Sequence, residues 1–177
     1  YTRAEYLDLL GRIRNAVPDI SLSTDVIVGF PGETEDDFRH TMAVLEEVRF
    51  AQVFAFAFSP RPRTPAARYD VQVDEDTKKA RLHRLFELTE KISTELNENL
   101  VGTVVRVLID GDSRRDPTHW QGRGEDNRVV NFAKTGRETI GDILDVRILR
   151  AGPHSLSGEA VSSGIGLPVL HSVDVVA

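Results

Sequence analysis

The chain has 177 residues, of which 40% are hydrophobic, and a formal net charge of −6 at pH 7. This length fits one large domain or two small ones, with enough apolar residues for a packed core. No apolar run approaches the about 18 residues of a membrane-spanning helix. The acidic balance argues against a nucleic-acid-binding surface over the whole chain. The absence of cysteine excludes disulfides and thiolate metal ligands from this chain, and is compatible with a cytoplasmic origin.

The first part of the chain is predicted to alternate helices and strands. Apolar residues at three- and four-residue spacing predict a helix over residues 3–17, which Pro18 ends. A strand is predicted at about 21–28, a helix at about 34–48 and a second strand at about 51–58. This order with short connections is typical of a parallel sheet with crossover helices.

The turn after the first predicted strand is a candidate ligand site. Residues 29–33, GFPGE, follow the strand, and Thr34 with Asp37 three residues on forms a variant of the helix capping box. In α/β folds, ligands bind at the carboxyl ends of parallel strands. The turn lacks the lysine and serine of a phosphate loop, so a small-molecule site and a plain strand-to-helix connection both stay open.

A proline-rich loop, SPRPRTPAA at residues 59–67, follows the second predicted strand at the same end of the sheet. Three prolines exclude a helix or a central strand there. Arg61 and Arg63 are suited to meet a phosphate or a carboxylate, and a rigid linker with solvated arginines is the alternative. A long helix is then predicted over about 74–100, with Gly102 just past its end.

From residue 103 the apolar pattern alternates, as in strands. Five short strands are predicted, with the sequences TVVRVLID, HWQGRG, RVVNF, GDILDVRIL and HSLSGEAV. Five short strands without a helix suggest a small closed or partly closed barrel. Residues 100–161 carry nine basic and nine acidic residues, whereas residues 1–99 carry 13 and 18, so a local basic face is compatible with the second part alone.

Aromatic and basic residues are interleaved in the predicted barrel. Rings that stack on bases and cations that meet phosphates are typical of nucleic-acid-binding barrels. The residues concerned are Trp120, Arg123, Arg128, Phe132 and Lys134. The competing interpretation makes Phe132 part of the core and lets neighbouring acidic residues neutralise the arginines. The five histidines match no metal-ligand spacing.

Four segments in this order resemble the methylthiotransferases, radical S-adenosylmethionine enzymes that end in a small RNA-binding TRAM domain. The segments are TDVIVGFPGETEDDF, FAFAFSPRPRTPAA, LVGTVVRVLIDG and GRGEDNRVVNF, and the resemblance covers roughly residues 1–161. The last segment resembles the MiaB type, which adds a methylthio group to isopentenyladenosine beside the anticodon of tRNA. The opening Tyr-Thr resembles the end of a motif inside the family chain, so a truncated chain is expected.

The resemblance implies a fold in three parts. Residues 1–99 are expected to form an α/β segment of a partial TIM-like (radical SAM) barrel with its connecting helix. Residues 100–161 are expected to form an all-β, five-stranded, OB-like TRAM barrel, and residues 162–177 a tail. The resemblance also gives S-adenosylmethionine contacts to Ile27, Gly29, Phe30 and Ser59. The interleaved aromatic and basic residues separately predict RNA contacts for Trp120, Arg123, Arg128 and Phe132. Arg63 departs from the family, which commonly has glycine there.

The resemblance further implies cofactors that this chain does not hold alone. The parent enzyme uses S-adenosylmethionine and two 4Fe-4S clusters, whose cysteine ligands would lie upstream of Tyr1, in a missing N-terminal half. Because thiolates hold cluster iron, the isolated chain is expected to be inactive. The expected partners are tRNA and that N-terminal half, with no membrane. The alternatives are an RNA-binding module without enzymatic role and a methylthiotransferase that acts on a ribosomal protein.

Overall fold

The computed structural model describes residues 2–161, and the predicted tail at 162–177 lies outside the described residues. The elements, in chain order, are α1 (Arg3–Ala16), β1 (Ser23–Val28), α2 (Glu35–Val48), β2 (Gln52–Ala57), a 3-10 turn (Pro65–Arg68), α3 (Glu75–Glu98), β3 (Val104–Asp112), β4 (His119–Gly124), β5 (Val129–Ala133), β6 (Ile143–Ala151) and β7 (Leu156–Ala160). The helices and strands predicted from the sequence for residues 3–161 are confirmed, with small shifts at their ends.

The first unit is a two-stranded parallel sheet covered by helices on one face. β1 and β2 pair in register from Ser23 beside Gln52 to Val28 beside Ala57. Apolar residues of all three helices pack on the inner face of this sheet, around the fully buried Val28, Phe38 and Leu85. The other face of the sheet has no helix against it within residues 2–161, so its side chains remain accessible.

Local sequence explains where α2 begins. The Thr34 hydroxyl accepts a hydrogen bond from the Asp37 backbone N–H, and the Asp37 carboxylate accepts one from the Thr34 backbone N–H at 2.9 Å. The predicted capping box is therefore confirmed. It satisfies two backbone donors that the first helical turn leaves unpaired, and so fixes the point at which the GFPGE turn passes into the helix.

The second unit is a closed barrel with the strand order β3-β4-β5-β7-β6. Only β5 and β7 pair in parallel. The barrel is narrow because glycine allows two strands to approach closely: a Cβ on Gly122 would lie 2.5 Å from the Leu108 carbonyl oxygen, and one on Gly158 would collide with the Arg147 carbonyl oxygen. Seven residues, each at most 1% exposed, fill the interior: Val107, Ile109, Val130, Phe132, Val146, Ile148 and Leu156.

The last turns of α3 join the two units. The Asn97 side-chain amide donates to the Gly152 carbonyl oxygen at 2.7 Å, and the Ser93 hydroxyl donates to that of Pro153 at 2.6 Å. Both acceptors lie in the β6–β7 turn. The strand order places this turn and the β4–β5 turn at the end of the barrel nearer α3, which we call the proximal end. The β3–β4 turn and the β5–β6 loop lie at the opposite, distal end.

Candidate functional site

Aromatic side chains gather at the carboxyl ends of β1 and β2. The Phe30 ring lies edge-on to Phe58, with centroids 5.1 Å apart, and to Tyr69, with centroids 6.4 Å apart. The loop after β2 folds back over the GFPGE turn, because the Gly32 N–H donates to the Val71 carbonyl oxygen at 2.8 Å. The turn and residues 68–71 line a shallow pocket of about 390 Å³. The fold thus forms an aromatic-lined surface where the sequence predicts a ligand.

A buried ion pair between Glu33 and Arg81 stabilises the GFPGE turn on the side that faces α3. Gly29 has a φ of 72°, and its backbone N–H donates to the Glu33 carboxylate at 2.5 Å. Arg81 of α3 donates to the same carboxylate at 2.6 Å. Arg81 is only 5% exposed, and its Nε has no hydrogen-bond acceptor. Because a buried charge needs its counterion, Glu33 and Arg81 fix each other and, through Gly29, the turn.

Lys78 of α3 covers Gly29. The Lys78 side chain is buried, and a Cβ on Gly29 would collide with its Cγ. The ammonium binds Glu75 at 2.9 Å and lies 5.7 Å from the centre of the Phe58 ring. Gly29 is therefore needed for two reasons, its positive φ and the close approach of Lys78.

Sequence reasoning missed this support for the turn. Glu33 and Arg81 are 48 residues apart, and no local pattern joins them. A signal was nevertheless present, since Lys78 and Arg81 occupy the stripe of α3 that also carries Leu85 and Ile92. A charged residue on the buried face of an amphipathic helix requires a partner from elsewhere in the fold.

The open face of the β1–β2 sheet is apolar towards the carboxyl ends of its strands, whereas Asp25 lies beside Phe54 nearer the other end. Ile27 and Phe56 lie side by side in register, each 56% exposed, and Phe54 on the same strand face is 44% exposed. Phe30, also exposed, continues this surface past the end of β1. We call these four residues, Ile27, Phe30, Phe54 and Phe56, the apolar face.

The structure brings the four predicted cofactor contacts to one end of the sheet. Ile27 and Phe30 are accessible on the apolar face, and Ser59 is exposed beside Phe58, whose N–H donates to the Val28 carbonyl oxygen at 2.8 Å. Gly29 differs from the others because it is buried beneath Lys78. Its place in this site is to shape the turn.

Two of the four predicted RNA contacts lie in the barrel wall. Phe132 is fully buried, so the prediction that its ring stacks on RNA is wrong for the closed barrel, and the core interpretation applies. Trp120 pairs with Phe132 across β4 and β5 and is partly buried. The Lys134 ammonium lies 4.4 Å from the centre of the indole ring, and the indole N–H donates to Glu138 at 3.4 Å.

Hydrogen bonds also set the charge of Glu138. Its partial burial acts to raise the pKa, but hydrogen bonds from the Thr135 hydroxyl, from backbone N–H groups and from the Trp120 indole outweigh that effect. Together they lower the pKa of Glu138 from 4.5 to about 2. The carboxylate therefore stays ionised at neutral pH and fastens the β5–β6 loop to Trp120.

The two predicted arginines are both paired with carboxylates. Arg123 donates to Asp110 at 3.2 Å and to the Asn127 carbonyl oxygen at 3.2 Å. Arg128 is bonded to Asp126 within the β4–β5 turn. Both arginines line a cleft of about 1240 Å³ between the proximal end of the barrel and the first unit, whose apolar lining includes Phe86.

Among residues 2–161, no helix has the length and apolarity to cross a membrane. The same residues hold no group of three or more His, Cys, Asp or Glu side chains placed to bind a metal ion.

Comparison with known families accounts for the barrel. The model of the TRAM domain family matches residues 98–161, which include the last residue of α3 and all five strands of the closed barrel. Residues 98–161 are a TRAM domain. The five-stranded OB-like barrel expected from the resemblance is therefore confirmed.

Curated relatives extend the match to most of the chain, and all three described here are named tRNA-2-methylthio-N(6)-dimethylallyladenosine synthase. That of Alkalilimnicola ehrlichii is 50% identical over 159 residues, that of Cupriavidus necator 46% over 167, and that of Geotalea uraniireducens 48% over 159. The matches cover 90%, 91% and 90% of this chain but 35%, 37% and 36% of the relatives. The chain is related to the MiaB-type methylthiotransferases and spans about a third of their length.

The side chains of this chain fit one kind of methylthiotransferase cofactor and not another. Iron–sulfur clusters are bound by cysteine thiolates, and the chain has no cysteine, so its residues do not fit the role of cluster ligands. The accessible Ile27 and Phe30 do fit contact with a flat heteroaromatic ring such as adenine, because they offer exposed apolar surface at the ligand-binding end of parallel strands.

Proposed function

We propose that this chain is the part of a tRNA methylthiotransferase that supplies one wall of the S-adenosylmethionine pocket and the RNA-binding domain. The apolar face carries this proposal. Parallel sheets are normally covered on both faces, and within residues 2–161 this sheet is covered on one. The relatives are about three times as long as the matched region, which leaves ample chain to cover the second face.

In this proposal residues 1–99 form one segment of a radical SAM barrel. β1, α2 and β2 are one strand–helix–strand unit of such a barrel, with the helices outside and the apolar face turned towards the barrel interior. α3 then connects this segment to the TRAM domain. Residues 100–161 form an independent barrel whose core is already closed.

Residues at the carboxyl ends of the strands have separate roles in the proposed pocket. Ile27 and Phe30 contact the adenine, and Ser59 lies at its edge. Gly29, Glu33 and Arg81 hold the turn in shape without touching the ligand. S-adenosylmethionine, when bound, supplies the radical chemistry of these enzymes, and the iron–sulfur clusters that start it are held by residues outside this chain.

The TRAM domain is proposed to bind tRNA. The name of the three relatives contains tRNA and no ribosomal protein, which favours the tRNA-modifying over the ribosomal-protein-modifying alternative. A free-standing RNA-binding module remains the second candidate, and the closed core of the barrel favours it.

Binding and complementation test the proposal together. The full chain is titrated with a tRNA transcript and, separately, with a ribosomal protein, and we expect binding to the tRNA only. It is then mixed anaerobically with the complementary N-terminal part of the Alkalilimnicola ehrlichii relative, with iron, sulfide, reductant, S-adenosylmethionine and a tRNA that carries isopentenyladenosine. We expect methylthio-adenosine to form only when both pieces are present. A pocket role for Phe30 is supported if Phe30→Ala reduces product formation while Leu149→Ala, an exposed substitution in the barrel, does not.

Three results would count against parts of this proposal. Binding to the ribosomal protein instead of tRNA would reassign the substrate. tRNA binding together with full activity of the Ile27→Asp and Phe30→Ala variants would remove the pocket role and leave the RNA-binding module. Reconstitution of a stable cluster in this chain alone, followed by formation of 5′-deoxyadenosine, would contradict the expectation that the isolated chain is inactive.

A further inference from the structure

The distal end of the TRAM barrel carries three arginines for which the preceding sections give no role. Arg114 and Arg115 lie in the β3–β4 turn, and Arg137 lies in the β5–β6 loop. These two connections are neighbours, because the Lys134 N–H donates to the Thr118 carbonyl oxygen at 3.0 Å and extends the pairing of β4 with β5. All three arginine side chains are exposed.

None of these three guanidinium groups has an ion pair or hydrogen bond within residues 2–161. The proximal end differs, since Arg106 pairs with Glu125, Arg123 with Asp110 and Arg128 with Asp126. Three free arginines therefore lie at the distal end, whereas at the proximal end these three arginines are paired and Arg150, near the end of β6, is free within the described residues. Free guanidinium groups keep all five donors for an anion from outside.

The acidic residues of the distal end do not neutralise these arginines, because their carboxylates are engaged elsewhere. Asp116 accepts from the Thr118 hydroxyl at 2.6 Å, and Asp142 accepts from the Thr139 backbone N–H at 2.8 Å. Asp112 binds Lys134 at 2.7 Å, and Glu138 is held by Thr135 and Trp120. The two connections together with Asp112 at the end of β3 carry four basic and four acidic residues, so the attraction for an anion is short-ranged.

An aromatic ring lies at the same end of the barrel as the free arginines. Trp120 follows the β3–β4 turn directly and pairs with Asp112 across β3 and β4. Lys134 over its indole ring adds a fourth cation to the same end. Guanidinium groups that match phosphate geometry, set next to an aromatic side chain, are the combination with which proteins hold an RNA backbone.

We propose that the distal end of the barrel binds RNA phosphates through Arg114, Arg115 and Arg137, with Lys134 and Trp120 at its border. This inference rests on the proposed RNA-binding role of the TRAM domain and locates the RNA contact at the distal end of the barrel. β3 has nine residues, so at about 3.3 Å per residue it separates the two ends by roughly 30 Å. That distance is several times the Debye length of about 8 Å at physiological salt, so the distal arginines act independently of Arg128 in the β4–β5 turn. Arg123 lies nearer to them, because it pairs with Leu108 in the middle of β3.

Two charge-matched variants and a third, proximal variant of the full chain test the assignment. The distal variant is Arg114→Gln with Arg115→Gln and Arg137→Gln. The control variant replaces three exposed cations of the first unit, Arg12, Lys79 and Lys91, with Gln and makes the same change in net charge. A proximal variant carries Arg123→Gln and Arg128→Gln. An unmodified tRNA transcript is the probe, and anisotropy titrations at several salt concentrations give the affinity.

We expect the distal variant to bind tRNA at least tenfold more weakly than wild type. Its slope of log affinity against log salt should fall by about 2–3, since each lost phosphate contact removes roughly 0.7–0.9. The control variant should lose little affinity. Trp120 is the only tryptophan in the chain, so its fluorescence should change on tRNA binding in the wild type. The melting temperature of the distal variant should be unaltered, since Arg114, Arg115 and Arg137 have no partner to lose within residues 2–161.

The outcomes separate this inference from the function on which it rests. tRNA binding by the wild type, with equal affinities in the distal and control variants, overturns the distal site and leaves RNA binding standing. Loss of binding confined to the proximal variant places the contact in the cleft and also overturns the distal site. No tRNA binding by the wild type overturns both proposals. A variant with Arg→Lys at all three distal positions is the control for misfolding. It keeps the three positive charges, so it should keep most of the salt dependence of tRNA binding.

Discussion

Arg63 has a backbone conformation that residues with a Cβ rarely adopt. Its φ of 70° lies in the left-handed region, at the position where the methylthiotransferases commonly carry glycine. A residue with a Cβ pays about 1–2 kcal/mol in this conformation, whereas glycine loses roughly 0.5–1 kcal/mol more than alanine through chain entropy. We therefore expect Arg63→Gly to raise the free energy of unfolding by up to about 1 kcal/mol.

Urea unfolding followed by circular dichroism measures this change. Arg61→Gly, in the same loop but with no positive φ, is the matched control and should lower the free energy of unfolding slightly. Equal effects of the two substitutions would show that the left-handed conformation of Arg63 costs nothing.

Glu33 gives a larger effect because its partner is buried. Glu33→Gln keeps the shape of the side chain but removes the charge that Arg81 faces at 2.6 Å. Removing one partner of a buried pair costs about 3–5 kcal/mol, so we expect a loss of about 3 kcal/mol in unfolding free energy. Glu47→Gln is the control, since Glu47 pairs with Arg3 at 2.8 Å but both side chains are about half exposed, and such pairs contribute about 0–1 kcal/mol. A similar loss in both variants would mean that burial of Arg81 is not the cause.

The strands and helices were predictable because their periodicity is local, whereas the use of individual charged residues was not. Alternation along β5 already placed Phe132 on the face of Val130, opposite Asn131, and that face is the barrel core. The interleaving of aromatic and basic residues nevertheless led us to give Phe132 a contact with RNA. The partner of Arg123 lies on β3, and only the strand register reveals it.

The β5–β6 loop provides a pH-dependent element. The hydrogen bonds from Thr135, the backbone and Trp120 outweigh burial and lower the pKa of Glu138 from 4.5 to about 2. Because the folded pKa lies below the unfolded one, ionised Glu138 stabilises the loop above pH 4.5, and this contribution disappears as the pH falls towards 2. We expect the fluorescence of Trp120, the single tryptophan, to change across that interval.

Two variants isolate the contribution of Glu138. Glu138→Gln should show its altered tryptophan signal already at neutral pH and lose the acid transition that belongs to the loop. Glu125→Gln changes an exposed carboxylate that meets Arg106 at 3.6 Å at the other end of the barrel, and should leave the transition unchanged. Identical acid profiles in wild type and Glu138→Gln would refute the assignment.

At the scale of the whole molecule, the two units differ in whether their sheets have unpaired strand edges and exposed apolar faces. The barrel closes on itself and has no free strand edge, because each strand pairs on both sides. The first unit has two strands, each with one unpaired edge, and the apolar face beside them. Open edges and exposed apolar patches promote association between molecules. The difference explains why one unit is expected to fold alone and the other to need a partner.

The last prediction concerns the apolar face. We expect the isolated chain to bind an apolar fluorescent dye and to self-associate as its concentration rises. Phe54→Ser with Phe56→Ser should remove most of the dye signal, because these rings form the centre of the face, and should change the unfolding free energy by only about 0.5 kcal/mol, because surface substitutions rarely cost more. Leu149→Ser, an exposed apolar residue of the barrel, is the control and should leave dye binding intact. Sedimentation at several concentrations measures the association, and a wild-type chain that stays monomeric, melts sharply and binds no dye would show that the sheet is complete without further cover.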